Sequence, residues 1–514
     1  MESGNQADDK LGGEFHAVSD FYFKLAIFES NCVQSQRSVI PNQLLRLLAD
    51  HYLCPMSEIQ LPVAFETQMI ALLGEEEFEQ FKLGIEKPAR TSIRFNEAKG
   101  FVSNWVKSPI PWSGQGYFLE ERPSFTLDPA FHAGAYYVQE ASSMFIEHIL
   151  KSIEAPKGVY LDLAAAPGGK STLLSSYLGN DGLLVANEVI QARAQILKEI
   201  SVKWGLGNIV VTNNDPDHFG PLEGFFDLVL VDAPCSGEGM FRKDPQAREE
   251  WSPDHVQLCS SRQKRILDQA GGLVKAGGYL IYSTCTFNEL ENEEMIRFLT
   301  SEFSYEPVRI PLDPTWGIRE TEVKTEEGTF YGYRFFPHLV EGEGFFITVL
   351  MRPDDAFILE PGRIKDFKHP VLKSVQDRES AALDNELGLD GSGKYYLLNE
   401  SFFRINREWS RYFERLSQHL SLRYFGVELG KKQKDDWIPS HEWALSILPK
   451  HGFSTKELDL GQALGFLRKS EAEIADLPIG WVLMTYQNLP LGWIKNLGNR
   501  INNYYPKEYR IRLN

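Results

Sequence analysis

Leu161-Asp-Leu-Ala-Ala-Ala-Pro-Gly-Gly-Lys170 is the stretch on which the fold turns. It begins inside a short apolar run, Val159 to Leu163, and ends where a helix-like stretch, Ser171 to Leu178, begins. A strand passing through a glycine turn into a helix opens a βα unit. Glycines there let backbone amides approach a ligand closely, and the helix N-terminus favours a carboxylate. The spacing is neither Gly-x-Gly-x-x-Gly nor a Walker loop, which argues against nucleotide phosphate. Taken alone, the stretch is equally compatible with an ordinary tight turn.

The chain downstream repeats the alternation. Leu183 to Asn187 is strand-like and Ile190 to Trp204 helix-like; strands follow at Ile209 to Thr212 and Phe226 to Val231. A long helix is expected over Val256 to Val274, then a strand at Tyr279 to Ser283 after Gly277-Gly278. This alternation predicts an α/β fold with a parallel sheet and helices on both faces. Phe330 to Phe336 and Phe345 to Met351 read as a closing antiparallel hairpin.

In such sheets a ligand lies across the carboxyl ends of neighbouring strands. Glu188 follows the second strand, where a carboxylate can bind a ribose diol. Asp215 follows the third, within reach of an adenine amino group, and Asp232 ends the fourth. One acid at a strand end is usually a solvated turn residue. Three in succession beside a glycine loop fit a nucleoside carrying an amino-acid tail, such as S-adenosylmethionine.

Two cysteines then narrow the reaction. Asp232-Ala-Pro-Cys-Ser-Gly-Glu-Gly239 ends one strand and Tyr282-Ser-Thr-Cys-Thr286 the next, so Cys235 and Cys285 reach the same sheet edge. Either alone would more often be core; together, beside a carboxylate and a cofactor, they point to nucleophilic catalysis. Cytosine C5 is too weak a nucleophile to take a methyl group directly. A thiolate adding to C6 makes C5 enamine-like, and after transfer H5 must leave and the thiolate be expelled. A carboxyl group reaching N3 and N4 would stabilise the adduct.

Asp162 to Lys170, Asp232-Ala-Pro-Cys235 and Ser283-Thr-Cys285 closely resemble the Nop/Sun family of RNA 5-methylcytosine methyltransferases, as do Tyr136-Tyr-Val-Gln-Glu-Ala-Ser-Ser-Met144 and Asn288-Glu-Leu-Glu-Asn-Glu293. The resemblance is strong from Leu61 to Arg352. It implies a class I (Rossmann-like) S-adenosylmethionine-dependent methyltransferase domain. Ala164, Ala165, Ala166, Pro167, Gly168, Gly169 and Lys170 would line the methionine part of the cofactor, Glu188 the ribose and Asp215 the adenine. Asp232 would sit by the methyl group and target base. Cys285, after the Thr, is implied as the nucleophile and Cys235, after the Pro, as the aid to product release; DNA cytosine methyltransferases attack instead from their Pro-Cys cysteine. Asn288 and Glu291 read more simply as a helix-capping box, Arg242 and Lys243 as a solvated loop or a phosphate contact, and Cys259 as core.

The C-terminal segment Gly480 to Arg510 resembles the PUA-like RNA-binding module of bacterial ribosomal members, through Leu489-Pro-Leu-Gly-Trp493 and Asn503-Tyr-Tyr-Pro-Lys507. RNA, and small-subunit ribosomal RNA above all, is the implied partner. Transfer RNA and a catalytically inactive assembly factor stand as alternatives. The expected organisation is an N-terminal extension over residues 1–60, an N-terminal α+β RNA-binding region over 61–157, and the methyltransferase domain over 158–352. A linker over 353–393 and a C-terminal RNA-binding region with the PUA-like module over 394–514 follow. Helix-like pieces, Phe21 to Glu29 and Gln43 to His51, lie in the extension.

Composition sets the outer bounds. The 514 residues are 43% hydrophobic and 12% aromatic, ample for several cores. No apolar run is long enough to span a membrane, and no secretory signal opens the chain. The net charge of −18 weighs against nucleic acid as a whole-chain sum, yet Lys495, Arg500, Lys507, Arg510 and Arg512 face only Glu508 over their interval. Five scattered cysteines (Cys32, Cys54, Cys235, Cys259, Cys285) make no disulfide framework and no Cys-x-x-Cys pair, so a reducing cytoplasm and no metal are expected. Nothing in the sequence specifies an oligomeric state.

Overall fold

Long aliphatic runs buried on both faces build the centre of the molecule. In the computed structural model, which describes residues 60–101, 103, 106–354, 367–434, 436–470, 474 and 476–512, these runs form a parallel sheet. Its strands are β5 (Val159–Asp162), β6 (Leu183–Asn187), β7 (Ile209–Thr212), β8 (Phe226–Asp232) and β9 (Val274–Thr284). Pairing is parallel through 9-8-5-6-7. Strand order reverses beside β5, so the crevice expected of a doubly wound sheet opens at its carboxyl end. The hairpin of β11 (Thr329–Phe335) and β12 (Phe345–Met351) adds antiparallel to β9, with β10 (Arg319–Lys324) outside it.

Helices cover the faces: α3 (Phe145–Ser152), α4 (Gly169–Leu178), α5 (Gln191–Trp204), α6 (Pro253–Gly271) and α7 (Glu293–Phe303). Helix α6 starts where the Ser252 hydroxyl accepts from the His255 amide, with Pro253 in its first turn. It stops earlier than the sequence suggests. Gly271-Gly272 end it, and Val274, expected as its last residue, opens β9 instead.

Two helices, α1 (Val63–Leu73) and α2 (Glu75–Glu86), lead into an antiparallel sheet of β1 (Ser92–Phe95), β2 (Val106–Pro109), β3 (Gly116–Leu119) and β4 (Tyr136–Val138), in the order 2-3-1-4. Its Ile93, Phe95 and Tyr136 share a core with Val482, Met484 and Ile494 near the C-terminus. Leu61–Asn514 thus form one unit.

The C-terminal part differs most from expectation. It holds two small sheets, one from Lys373 to Pro439 and one from Ser454 to Asn503. Between their elements, β13 (Leu422–Phe425) leaves the region altogether and pairs antiparallel with β7. The fully buried β7 would otherwise expose an unpaired edge. The expected linker over 353–393 is also replaced, from residue 373 on, by ordered structure: a short strand at Lys373–Ser374 and a helix at Asp377–Glu386. That polar helix is pinned by a buried carboxylate. Asp384 accepts from the Tyr395 hydroxyl (2.6 Å), the Gly393 amide (2.7 Å) and Arg404 Nε (2.9 Å). Residues 355–366, both helix-like pieces before residue 60, Cys32 and Cys54 lie outside the described residues. Among the described residues, no helix is long and apolar enough to cross a membrane.

Candidate active site

Strand β5 ends on Asp162, and the loop Leu163 to Gly168 turns into α4. Gly168 sits at φ +120°, a backbone that L side chains rarely adopt, and a Cβ there would press on Ile200 of α5 at 2.9 Å. No side chain caps α4, so its first amides remain available to a ligand. Beside them lies a cavity of about 190 Å³. Of the residues expected to hold a cofactor, it takes Ala164, Ala165, Ala166, Pro167, Gly169 and Lys170, together with Asp232. Gly168 turns toward α5 and lies off the wall.

Asp162 is part of this cavity although the sequence reading gave it no role. It is fully buried; Ser171 Oγ donates to Oδ2 at 2.6 Å, and Oδ1 has no partner. Burial pushes its pKa up to about 7, and the carboxylates of Asp232 and Glu188 add to the shift. A buried acceptor left open is expensive unless a ligand completes it. An α-ammonium group beside Asp162 and a carboxylate at the amides of α4 would do so, which is the donor and acceptor set of the S-adenosylmethionine tail. The signal lay in the motif: an acid on the last residue of a parallel strand, just before the glycine turn.

Glu188 and Asp215 stand outside the cavity wall, at the ends of β6 and β7. Glu188 is buried. Its Oε1 accepts the Ile190 amide at 2.9 Å, and Oε2 lies 3.5 Å from Arg193 Nη1, whose Nη2 donates to the Ala166 carbonyl at 2.7 Å. Asp215 is half-exposed, accepting the Asp217 amide at 3.4 Å with Arg265 at 3.9 Å. Asn187 ties these strand ends together. Its amide donates to the Leu163 and Asn214 carbonyls, and its Oδ1 accepts from Thr212 Oγ1 and the Asn214 amide.

The two cysteine loops leave adjacent parallel strands at the same level, Asp232 pairing with Ser283. Asp232 is engaged on both oxygens, by Lys170 Nζ and Ser283 Oγ, each at 2.8 Å. Burial disfavours the Lys170 charge, but Asp232, with smaller help from Asp162 and Cys285, holds its pKa above the ordinary value. Beyond Asp232, the sulfurs of Cys235 and Cys285 lie 3.1 Å apart, and the Cys285 amide faces Cys235 Sγ at 3.3 Å. That sulfur–sulfur hydrogen bond and burial push the Cys235 thiol well above its ordinary pKa, so it stays protonated. Cys259, on α6, is buried with its pKa raised to about 11, as suits a core thiol.

Asn288 and Glu291 do not start a helix. The Asn288 side chain accepts the Glu291 amide at 2.9 Å, but α7 begins only at Glu293, and the Glu291 carboxylate turns to the Cys235 loop. It accepts from the Ser236 amide (3.0 Å) and hydroxyl (2.5 Å), from Gln263 (2.7 Å) and from Asn288 Nδ2 (2.8 Å). Buried Glu238 mirrors it from the Cys235 loop, accepting the Phe287 (2.6 Å) and Asn288 (3.0 Å) amides of the Cys285 loop. Each loop thus carries a carboxylate that fastens the other. Gly239 completes the lock: its amide donates to the Cys285 carbonyl at 2.8 Å, and a Cβ would meet the Gly344 carbonyl at 2.4 Å. Arg242 and Lys243 both engage one carboxylate, Arg242 Nε to Glu343 at 2.8 Å and Lys243 at 3.1 Å; Arg242 is buried there, and Lys243 stays partly exposed.

Comparison with known proteins adds a second line of observation. Residues 149–351 match a family model described as 16S rRNA methyltransferase RsmB/F. Residues 61–141 match the N-terminal domain of 16S rRNA methyltransferase RsmF, and 453–511 the methyltransferase RsmF PUA domain. A protein from Escherichia coli O157:H7 named ribosomal RNA small subunit methyltransferase F is 31% identical over 474 residues, covering 88% of this chain and 96% of the relative. The protein of the same name from Erwinia tasmaniensis is also 31% identical, with 88% and 97% covered. Among solved structures, a methyltransferase homolog protein from Pyrococcus horikoshii is 28% identical, covers 61% of this chain and 100% of its own, and gives a TM-score of 0.48.

Proposed function

The chain belongs to the ribosomal RNA small subunit methyltransferase F family, and from that premise we propose how its own residues methylate cytosine. It is an S-adenosylmethionine-dependent RNA methyltransferase acting on C5 of a cytosine in small-subunit ribosomal RNA, with a PUA domain for RNA. We place it in the cytoplasm with that substrate.

The observation that carries the residue assignment is the pair of sulfurs 3.1 Å apart beside an Asp232 held by Lys170. Cys285 attacks C6 as the thiolate, forming the covalent adduct. Asp232, fixed on both oxygens by Lys170 and Ser283, accepts from the cytosine N4 amino group and so orients the base, while the Lys170 ammonium beside it offsets the negative charge that gathers at N3 and O2. S-adenosylmethionine supplies the methyl group when bound, its amino-acid tail held by the Ala164–Lys170 loop and Asp162, its ribose by Glu188 and its adenine by Asp215. A solvent water then takes H5, the C5–H electron pair re-forms the C5–C6 double bond, and the C6–S bond breaks to release Cys285 as the thiolate. Cys235 assists here: as a protonated thiol in contact with the departing sulfur, it donates a hydrogen bond to the leaving thiolate.

For the domains we propose that 61–157 and the PUA-like module near the C-terminus grip RNA around the catalytic domain. Bisulfite sequencing of small-subunit ribosomal RNA tests the reading. A strain lacking the gene should lose protection at a cytosine, and the wild-type gene but not one encoding Cys285→Ala should restore it. Unchanged protection in the deletion strain would reject the assigned substrate.

A further inference from the structure

Arg94 is a buried cation that the reaction as described leaves without a role. It stands on β1 of the N-terminal region and is 2% exposed. Nε donates to Gln139 Oε1 at 2.8 Å; Nη2 donates to Thr172 Oγ1 at 2.7 Å and to the Gly169 carbonyl at 3.2 Å. Its guanidinium carbon lies 4.6 Å from the centre of the Trp204 ring. Among the described residues, no carboxylate is within ion-pair distance of it; Glu147 acts only at longer range. Burial presses its pKa down to about 10, which still leaves it charged at neutral pH.

A buried charge normally requires a counter-charge. The partners of Arg94 show where one would come from. Gly169 and Thr172 form the first turn of α4, and Gly169 and Gln139 both line the cofactor cavity. The guanidinium therefore sits one layer behind the cavity wall, at the helix terminus that already favours an anion. The same cavity holds the open carboxylate oxygen of Asp162.

We propose that Arg94 is a positioning residue for the α-carboxylate of S-adenosylmethionine. It acts through Gln139 and the first turn of α4, while Asp162 takes the ammonium group; the inference rests on the cofactor placement proposed above. The N-terminal region then does more than bind RNA, because it supplies the charge that reads one end of the cofactor.

Decarboxylated S-adenosylmethionine, which keeps the nucleoside, sulfonium and ammonium groups, isolates the carboxylate. Calorimetry would compare the two ligands on the wild type, Arg94→Gln and Arg94→Lys. Loss of the positive charge behind the helix terminus in Arg94→Gln should weaken S-adenosylmethionine by about tenfold. The decarboxylated ligand should bind the wild type and Arg94→Gln alike, and Arg94→Lys should recover part of the loss. Equal weakening of both ligands would reduce Arg94 to a domain fastener and overturn the proposal, as would no weakening of either. If the wild type itself fails to distinguish the two ligands, the cofactor placement falls first. Should Arg94→Gln not fold, Gln139→Leu, which removes the side chain joining the guanidinium to the wall, must show the same selective loss in smaller measure. Wild-type affinities for both ligands in that variant would overturn it.

Discussion

Cys235 Sγ and Cys285 Sγ lie within hydrogen-bonding contact, 3.1 Å apart, although 50 residues separate them in the chain. The contact exists because their loops leave neighbouring parallel strands in register, Asp232 opposite Ser283. Contact with Cys285 and burial raise the pKa of Cys235 and keep its thiol protonated. In the roles proposed for them, Cys285 attacks while Cys235 waits as a hydrogen-bond donor. Cys285→Ala should abolish methylation and form no covalent complex. Cys235→Ala should attack and transfer the methyl group but release slowly, leaving a protein–RNA adduct that survives denaturing electrophoresis. An adduct with Cys285→Ala and none with Cys235→Ala would reverse the two roles.

Glu291 governs the same contact from below. It fastens the Cys235 loop through the Ser236 amide and hydroxyl, and it sits on the loop that follows Cys285. Glu291→Ala leaves buried donors without an acceptor, an expected loss of about 1–3 kcal/mol in denaturant unfolding. Catalysis should suffer differently from cofactor binding: turnover should fall while the S-adenosylmethionine dissociation constant stays near wild type. A parallel fall of both would place Glu291 in general folding rather than in the alignment of the cysteines.

Asp162 gives the enzyme a pH signature. Its folded pKa is raised from an ordinary 3.8 to about 7 by burial. The native state therefore binds the proton more tightly than the unfolded chain, and the stability from this group is present at low pH and lost as pH rises from about 4 to about 7. A cofactor ammonium prefers the ionised carboxylate, so S-adenosylmethionine affinity should rise with pH toward about 7 and level off above it. Binding below that pH should release a proton, seen as calorimetric enthalpies that vary with the buffer. Asp162→Asn should bind more weakly and lose the rise. A rise of equal slope in that variant would assign it to another group.

Glu188 tests the nucleoside end. With Oε1 on the Ile190 amide and Arg193 near Oε2, it remains a buried acceptor. Glu188→Ala should weaken cofactor binding by about 1–3 kcal/mol. Half-exposed Asp215 should matter less when replaced. Unchanged calorimetric affinity in a folded Glu188→Ala protein would remove the ribose assignment.

These outcomes also mark how far the sequence could be read. The strand ends carrying Asp162, Glu188, Asp232, Cys235 and Cys285 were legible because a βα unit is local: an apolar run, a turn and a helix follow one another within about 20 residues, as in a dinucleotide-binding fingerprint. Glu291 was misread for the opposite reason. Asn-x-x-Glu is a local capping pattern, but its carboxylate is claimed by Ser236 and Gln263, which pattern reading does not bring near. The pairing of β13 with β7, and of Arg94 with Thr172, spans domains and leaves no periodic trace. The helix at Asp377–Glu386 was hidden by its polarity: its apolar anchor is only Leu383, with Leu387 just beyond its end, and the ion pair of Asp384 with Arg404 adds the rest.

The architecture decides how the RNA grip can be tested. Cutting the chain near Gly393 would remove β13 from the central sheet and strip Tyr396, Phe403, Phe413 and Phe425 from its core, so loss of RNA binding there would report unfolding. Substitution on the last sheet avoids this. Trp493 is buried, its indole N–H donating to the Ser440 carbonyl, and belongs to the core. Trp481 packs against half-exposed Tyr504, ring centres 4.5 Å apart, with Lys495 Nζ 5.0 Å from the Trp481 ring. An aromatic edge beside a cation suits an unpaired base and its phosphate. Tyr504→Ala and Lys495→Ala should each raise the RNA dissociation constant and leave cofactor binding unchanged. Only the lysine variant should flatten the dependence of log K on log salt, by about 0.7–0.9 for one lost phosphate contact. Filter binding across a salt series separates them: identical slopes for Lys495→Ala and wild type would remove the phosphate contact, and unchanged affinity in Tyr504→Ala the stacking one.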